Sequence, residues 1–333
     1  MTTETLQSKV REATGTENFL RWLGKVNPLI FVLIILYIAL ALISDRFLVT
    51  NNQMNILRQS SVYLIIALGQ TLVIASKGID LSVGSTLGLT GCFIGFLLKE
   101  WGFPVPVAIM GGVLLGTSIG VVNGLIITLM NVPPLIATLG MMVSLRGLVH
   151  FLMQSNFFVR LPNEIIFIGQ GFVGPVPMPV IISLSAVVIV WWLYNHTRFG
   201  RYAAAIGSNE PACRLVGIKV DHYKVLIYAF QGALAGLAAA VLIGRLNAAS
   251  PALGEHYELH IIAAVVLGGT ALFGGYGTVL GTFIGILTIG VLENGMVLIG
   301  ADFHIQRVLI GILLVSAVAY QGYQRRRQGT LET

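Results

Sequence analysis

Long apolar runs fill most of the chain, and short polar stretches separate them. A membrane-spanning helix needs about 20 mostly apolar residues. Ten runs approach or exceed this length: 28–44, 60–76, 82–98, 105–130, 134–153, 178–195, 224–243, 259–273, 278–298 and 306–322. The second and eighth are short and interrupted by glycine, and the count of ten depends on them. The runs are apolar all round, unlike the one-sided helices of soluble proteins. The pattern predicts an all-α, polytopic membrane bundle of about ten spans, some of them broken.

The composition indicates a membrane protein and changes the interpretation of the net charge. Hydrophobic residues make up 56% of the chain and charged residues 10%, whereas a soluble domain carries about 25% charged residues. The net charge of +6 is therefore not a signal for nucleic acid. It reflects basic loops, which orient a chain in a membrane.

Basic residues predict which loops are cytoplasmic. With the N-terminus inside, ten crossings place 1–27, 77–81, 131–133, 196–223, 274–277 and 323–333 on the cytoplasmic side. These loops, counted with Lys224 at the edge of one of them, hold 13 of the 20 Lys and Arg residues, and the opposite loops hold five. The chain then divides into a cytoplasmic N-terminal segment (1–27), a transmembrane domain (28–322) with a large loop (196–223), and a basic cytoplasmic tail (323–333).

The N-terminus could be mistaken for a cleaved signal. The triplet at 39–41 resembles a signal-peptidase site, but the charged leader is long and the apolar run exceeds a usual signal sequence. We expect a retained membrane anchor.

Small residues recur four apart, which lets helices approach closely in lipid. The pairs and triplets are Gly84/Gly88, Gly91/Gly95, Gly116/Gly120/Gly124, Gly232/Gly236 and Gly277/Gly281/Gly285. The sequence LGTSIG at 115–120 returns as LGTFIG at 280–285, about half the chain later. This spacing makes a duplicated architecture plausible.

No set of residues predicts catalysis, a cofactor or a metal. The Gly-x4-Gly-Lys-Ser/Thr loop that cradles phosphates is missing, and HYELH at 256–260 has its Glu in the wrong place for the His-Glu-x-x-His zinc motif. A lipid-modifying membrane enzyme would need a catalytic cluster, and we find none. The two cysteines, Cys92 and Cys213, fall in very different environments and are not expected to pair.

Polar residues inside the spans favour a neutral solute. Such residues are costly in lipid and usually face a cavity or another helix. They are mostly neutral hydrogen-bonding groups, which suits a polyhydroxylated solute better than an ion: Gln70, Asn123, Thr138, Arg146, Gln231, Glu293 and Asn294. For any one of them, helix–helix hydrogen bonding remains the simpler role. A transporter driven by an ion gradient would need more acidic or cation-coordinating groups at this depth.

The segment KGIDLSVGS at 77–85 has the pattern of a helix start inside a broken span. Asp80 or Ser82 can accept hydrogen bonds from exposed backbone N–H groups. Broken helices are tolerated where they line a cavity. Asp80 is therefore either a cap at the membrane edge or part of the solute path.

The stretch 198–223 is unlike its surroundings, because it is polar, basic and able to form helix. A short helix starting near Asn209, capped by Ser208 or Asn209, can end at Gly217. Glu210 and Arg214 would then share one face. Such a loop is typical of a surface that a soluble partner binds.

Residues 28–325 resemble the permease subunits of bacterial ABC importers for monosaccharides, the ribose-type group. The resemblance rests on several motifs in order: GIDLSVGS (78–85), NGLIITLMNVPPLIATLG (123–140), TRFGRYAAAIGSNEPACRLVGIKV (197–220), ELHIIAAVVLGGTALFGGYGTVLGT (258–282) and ENG (293–295). It implies a non-enzymatic transport subunit in the bacterial inner membrane with both termini cytoplasmic. It also implies a separate ATPase subunit, a periplasmic sugar-binding protein, a second permease copy and a monosaccharide substrate.

The resemblance also implies roles for residues. The positions that match the family's ATPase-coupling element are Asn209, Glu210, Ala212, Arg214 and Gly217. The expected solute path comprises Gln70, Asp80, Ser82, Asn123, Thr138, Glu258 and Asn294.

The chain departs from the family pattern at two positions. Pro211 replaces an Ala, which a first helical turn tolerates. His260 stands where the family often has an acidic residue, and this change bears on solute choice or the outer gate. The alternatives that stay open are an ABC permease for branched-chain amino acids or sugar alcohols, and an ion-coupled transporter.

Overall fold

The computed structural model describes residues 28–154 and 156–327. Their helices are α1 Leu29–Ile43, α2 Thr50–Ala75, α3 Val83–Lys99, α4 Val105–Leu129, α5 Pro134–Met153, α6 Asn163–Gln170, α7 Met178–His196, α8 Arg198–Ser208, α9 Glu210–Leu215, α10 Val220–Leu246, α11 Tyr257–Leu267, α12 Val279–Leu298 and α13 Phe303–Arg327. Two antiparallel pairs of two-residue strands join β1 Phe158–Val159 to β4 Ala248–Ala249 and β2 Phe172–Val173 to β3 Val176–Pro177. The predicted segment 1–27 and the end of the tail lie outside the described residues.

All ten predicted runs correspond to helices, and the chain is a polytopic, all-helical membrane protein. Seven described helices are long and apolar enough to cross a membrane: α2, α4, α5, α7, α10, α12 and the part of α13 from His304 to Tyr323. The other three, α1, α3 and α11, are shorter apolar helices. Proline at the first turn starts α4, α5 and α7, where its missing N–H costs nothing.

Two predicted boundaries were wrong. The second run, predicted as short, is the 26-residue helix α2. The mostly polar stretch 50–59 extends it, because its polar side chains find partners on neighbouring elements. One such pair joins the side-chain amides of Asn52 and Asn294, 2.9 and 2.8 Å apart. The eighth run ends early, at Leu267, because two glycines follow it and Gly269 has a φ of +96°.

Helices α2 and α10 form the centre of the bundle. In the most apolar stretch of each helix, 83% of the residues of α2 and 78% of those of α10 are buried. In α5 and in α7 the share of buried residues is only 22%. Glycines allow the closest approach, between α4 and α10. A Cβ at Gly116 would overlap the backbone oxygen of Gly232, and a Cβ at Gly120 would overlap that of Tyr228. Helix packing through small residues, predicted for the 116/120/124 triplet, is what the structure shows there.

Of the four α3 glycines predicted to face a helix, Gly91 does so, against α10, and the other three do not. Gly84, Gly88 and Gly95 face Gly254, Leu253 and Ala249 of a non-helical segment, 248–256. This segment runs beside α3 where a helix was expected. Two of its carbonyls, those of Pro251 and Leu253, accept hydrogen bonds from Nη1 of Arg146, both 3.0 Å long.

The loops gather at two ends of the bundle. At the end that we call the α8–α9 end, the Gly275 N–H donates to the Ala75 carbonyl (2.9 Å), and Gly207 packs on both residues. At the opposite end, the far end, Lys99 reaches the Arg160 carbonyl at 3.3 Å. The loops that basic residues predict to be cytoplasmic between spans, 77–81 and 274–277 among them, lie at the α8–α9 end.

The close approach of α4 and α10 gives a first prediction. Gly116→Ala should destabilise the protein by roughly 1–3 kcal/mol, because the added methyl group overlaps backbone that cannot move freely. Thermal unfolding of the purified protein in detergent measures the loss. Gly311→Ala is the matched control, since a Cβ there meets nothing within 4 Å. Equal melting temperatures for the two variants would contradict the packing.

Candidate functional site

A pair of short helices, α8 and α9, forms the polar element at the α8–α9 end. The Thr197 side chain caps α8 by accepting from the Phe199 N–H at 3.2 Å. The Asn209 side chain caps α9 by accepting from the Ala212 N–H at 3.0 Å, so the cap is Asn209 rather than Ser208. Pro211 occupies the first turn. The chain leaves α9 through Gly217, whose φ of +82° strongly favours glycine.

Charged side chains around α9 pair with one another. Arg214 lies 3.0 Å from Glu210 and also forms a two-bond pair with Asp221 at the start of α10. Lys224 lies 2.6 Å from the second oxygen of Glu210. Partial burial alone would raise the pKa of Glu210, but hydrogen bonds from Lys224 and Arg214 outweigh it and lower the pKa below its ordinary value. The charges therefore fix the position of α9 against α10.

The tip of α9 is apolar and unusually exposed. Leu215 is 88% exposed and Val216 is 76% exposed. Behind them Cys213 is buried with Ile206 and Val220, which anchors the tip on α8 and α10. Sequence reasoning missed Leu215 and Val216; the signal was two apolar residues ending a polar loop. An exposed apolar tip on a rigid polar base is suited to docking into a protein cleft.

Helix α8 lies directly on the bundle. A Cβ at Gly207 would overlap the Ala75 carbonyl at the end of α2, and the Gly275 N–H donates to that same carbonyl. The central helix α2, helix α8 and the loop 268–278 therefore meet at one backbone contact. A displacement of α8 and α9 would act on the core without any intervening side chain.

Four of the seven predicted path residues form one buried cluster near the α8–α9 end. Asp80 Oδ1 accepts from the N–H and the hydroxyl of Ser82, at 2.8 and 2.6 Å. Asn123 Nδ2 donates to the Ser82 hydroxyl at 2.9 Å. Thr138 donates to the Ile79 carbonyl at 3.1 Å. Two backbone groups of the segment 77–82 thus bond to side chains, the Ser82 N–H to Asp80 and the Ile79 carbonyl to Thr138 of α5, while Asn123 of α4 holds the Ser82 side chain.

The other three predicted path residues lie elsewhere. Gln70 is fully buried in the core and accepts from Gln231 at 3.3 Å. Glu258 lies in the first turn of α11 beside Gly84. Asn294 pairs with Asn52 toward the far end. The positions of these three residues in the sequence did not indicate that they would lie apart from the Asp80 cluster.

A second polar chain joins four helices and was not predicted as a unit. His260 Nε2 of α11 faces Glu293 Oε1 of α12 at 3.0 Å. Gln59 Nε2 of α2 donates to the other Glu293 oxygen at 2.9 Å, and Arg245 of α10 donates to Gln59 Oε1 at 3.3 Å. The Tyr63 ring stacks parallel to His260 with centroids 5.9 Å apart. The histidine at position 260, where the family often has an acidic residue, therefore pairs with Glu293 on the neighbouring helix.

Comparison with known proteins identifies relatives over almost the whole chain. The profile of the family described as "Branched-chain amino acid transport system / permease component" matches residues 52–318. The ribose import permease protein RbsC of Escherichia coli (strain K12) is 40% identical over 325 residues, 96% of this chain and 98% of the relative. RbsC of Bacillus subtilis (strain 168) is 41% identical over 320 residues, with the same coverage. The D-allose transport system permease protein AlsC of Escherichia coli (strain K12) is 35% identical over 303 residues, covering 91% and 93%. No solved structure matches the chain.

The Asp80 cluster gives a second prediction. Asp80→Ala should destabilise the protein by roughly 1–3 kcal/mol, because it leaves the buried N–H and hydroxyl of Ser82 without their acceptor. Asp80→Asn keeps one acceptor oxygen and should lose clearly less. Thermal unfolding in detergent compares the two variants, and an Ala variant as stable as the wild type would show that the cluster does not hold the segment.

Proposed function

The chain belongs to the family of branched-chain amino acid transport system permease components, and we propose that it is the membrane subunit of an ATP-driven importer for a monosaccharide. The observation that carries the sugar assignment is the set of relatives at 35–41% identity, which are named as ribose import permease proteins and a D-allose transport system permease protein. The neutral polar groups of the bundle agree with it. The family description itself keeps branched-chain amino acids as the second candidate solute.

Energy comes from a separate cytoplasmic ATPase subunit that binds α9. The exposed tip of Leu215 and Val216 enters a cleft of that subunit, while Glu210, Arg214, Asp221 and Lys224 hold the helix rigid behind it. Movement of the ATPase passes through α8 to the end of α2. The roles of Asn209, Ala212 and Gly217 are to shape α9 rather than to contact the partner.

The α8–α9 end is cytoplasmic in this proposal, and so are both termini. The bias of basic residues toward the loops of that end supports the orientation. The far end then faces the periplasm, where a sugar-binding protein delivers the solute. The protein is a multi-pass protein of the bacterial inner membrane, and a second copy completes the transport path.

The buried cluster of Asp80, Ser82, Asn123 and Thr138 closes the path near the cytoplasmic side. It links the break before α3 to α4 and α5, so a shift of any of these elements changes the others. Gln70, Glu258 and Asn294 are not part of this cluster, and we assign them to helix contacts or to other depths of the path.

A third prediction tests the function as a whole. The permease in lipid vesicles with its ATPase subunit and binding protein should accumulate a labelled monosaccharide only when ATP is supplied on the ATPase side. Ribose and allose are tested first, with leucine as the matched alternative solute. Uptake by the permease alone under an ion gradient would overturn the ATP-driven assignment, and uptake of leucine but no sugar would overturn the solute assignment.

A fourth prediction tests the docking element. Leu215→Asp should lower the binding-protein-stimulated ATPase rate at least about tenfold, because it places a charge in an apolar cleft. Arg214→Glu should also lower it, by releasing α9 from α10. Arg201→Glu makes the same charge reversal on the exposed side of α8 and should have a smaller effect. Full stimulation in Leu215→Asp, with the protein present in the membrane, would remove α9 from the contact.

A further inference from the structure

Two adjacent ionisable side chains are exposed about half-way along the bundle, at a depth where a lipid-facing surface is apolar. The pair is Glu255 and His256, at the end of the extended segment 248–256. The preceding residue, Gly254, touches Gly84, which is about 22 Å from Lys99 at the far end at 1.5 Å per residue. From His256, α11 covers about 16 Å before it ends at the α8–α9 end.

The side chains of this pair lie within electrostatic range of Arg146 and Glu258 but form no hydrogen bond with them. Within the described residues neither the Glu255 carboxylate nor the His256 ring has a hydrogen-bond partner. The neighbouring carbonyls of Pro251 and Leu253 are held by Arg146 of α5 instead. The backbone is thus fixed, and the two polar side chains remain available on its outer side.

Helix α5 continues the same exposed surface. Val143, Gly147 and His150 are exposed and lie on one stripe of α5 beside Arg146, at i, i+4 and i+7. A Cβ at Gly147 would meet nothing within 4 Å, so the space in front of the stripe is open. Together Val143, Gly147, His150, Glu255 and His256 form a surface that we call the α5–α11 face.

The surface of α7 shows what a lipid-facing side of this chain looks like. Its exposed large side chains between the two ends of the helix are all apolar: Leu184, Val188, Ile189, Trp191 and Trp192. Glu255 and His256 on the α5–α11 face would be costly against lipid, because ionisable groups half-way along the bundle face the interior or a water-filled cavity; His150 lies in the last turn of α5, toward the far end. The surroundings of Glu255 and His256 therefore differ from those of α7, although most exposed large side chains of α5 itself are also apolar: Leu135, Ile136, Leu139, Val143, Leu148, Phe151 and Leu152.

We propose that the α5–α11 face lines the water-filled route of the transported sugar. The proposal rests on the proposed function and names residues for it. Glu255 accepts hydrogen bonds from sugar hydroxyls, and His150 and His256 can each donate or accept one. A second copy of the chain encloses the route from the other side, which keeps lipid away from the charges. The four residues of the Asp80 cluster then lie between this route and the cytoplasm.

Cysteine labelling tests the proposal in the assembled transporter. Gly147→Cys is built in a background with Cys92→Ala and Cys213→Ala, and it is treated in vesicles with a charged, water-soluble methanethiosulfonate reagent. The new thiol should react readily, because the open space in front of Gly147 is aqueous. Val188→Cys on α7 is the lipid-side control and should react at least about tenfold more slowly, because thiolate forms poorly in lipid.

A second labelling site controls for local misfolding caused by the substitution at Gly147. Leu259→Cys on the first turns of α11, 46% exposed, should react like Gly147→Cys. If both thiols are as unreactive as Val188→Cys, the face is covered by lipid or packed tightly against another copy, and the proposal is wrong. The labelling requires no transport, so a failed sugar-uptake assay would overturn the proposed function separately.

The polar contacts are tested by uptake. Glu255→Gln should lower the uptake rate of the complete transporter about tenfold, the factor expected when a hydrogen bond to a charged group is weakened. Glu100→Gln, an exposed carboxylate at the far end, makes the same change and should leave uptake unchanged. Wild-type uptake by Glu255→Gln, at equal membrane abundance, would show that the carboxylate does not touch the sugar.

Discussion

The structure depends on one constraint, which is that every backbone N–H and C=O at membrane depth needs a partner within the protein. Uninterrupted helices satisfy it by themselves. This chain leaves helix geometry at 77–82, near the α8–α9 end, and at 248–256, about half-way along the bundle, and each time side chains supply the partners. Asp80 and Thr138 do so in the first case and Arg146 in the second. These few side chains therefore allow two breaks that a helical bundle would otherwise exclude.

The breaks bring together elements that are distant in sequence. Because 77–82 is held by α4 and α5, and 248–256 by α3 and α5, helix α5 touches both interruptions. The glycines of α3 complete the second contact, since any side chain there would displace the extended segment. A bundle built in this way has closely packed helix pairs, such as α4 with α10, separated by non-helical segments that side-chain hydrogen bonds hold in place.

The sequence predicted the positions of the helices well, but it predicted poorly which elements pack against one another. Hydrophobic runs located all ten apolar helices, and the cap residue Asn209 with Gly217 bounded α9, because these signals are local. The start of α2 was not predicted, because the stretch 50–59 is mostly polar. Hydropathy does not detect a helical segment that is stabilised by contacts with other elements. The glycines of α3 predicted a helix as its neighbour, which is confirmed only at Gly91 against α10, and an extended segment lies beside the other three. Four predicted path residues meet and three do not, because the choice of packing partner is a property of the folded bundle.

The paired charges of α9 have a consequence for how subunits recognise each other. Glu210, Arg214, Asp221 and Lys224 neutralise one another, so the positive charge of this surface comes from the neighbouring Arg198, Arg201 and Lys219. In the proposed assembly, ionic strength should then act through these three residues, while α9 itself contributes little electrostatic attraction. Selection among the cell's related ATPases would depend on the shape of a small apolar tip. One ATPase whose pocket fits that shape could serve several permeases that present it.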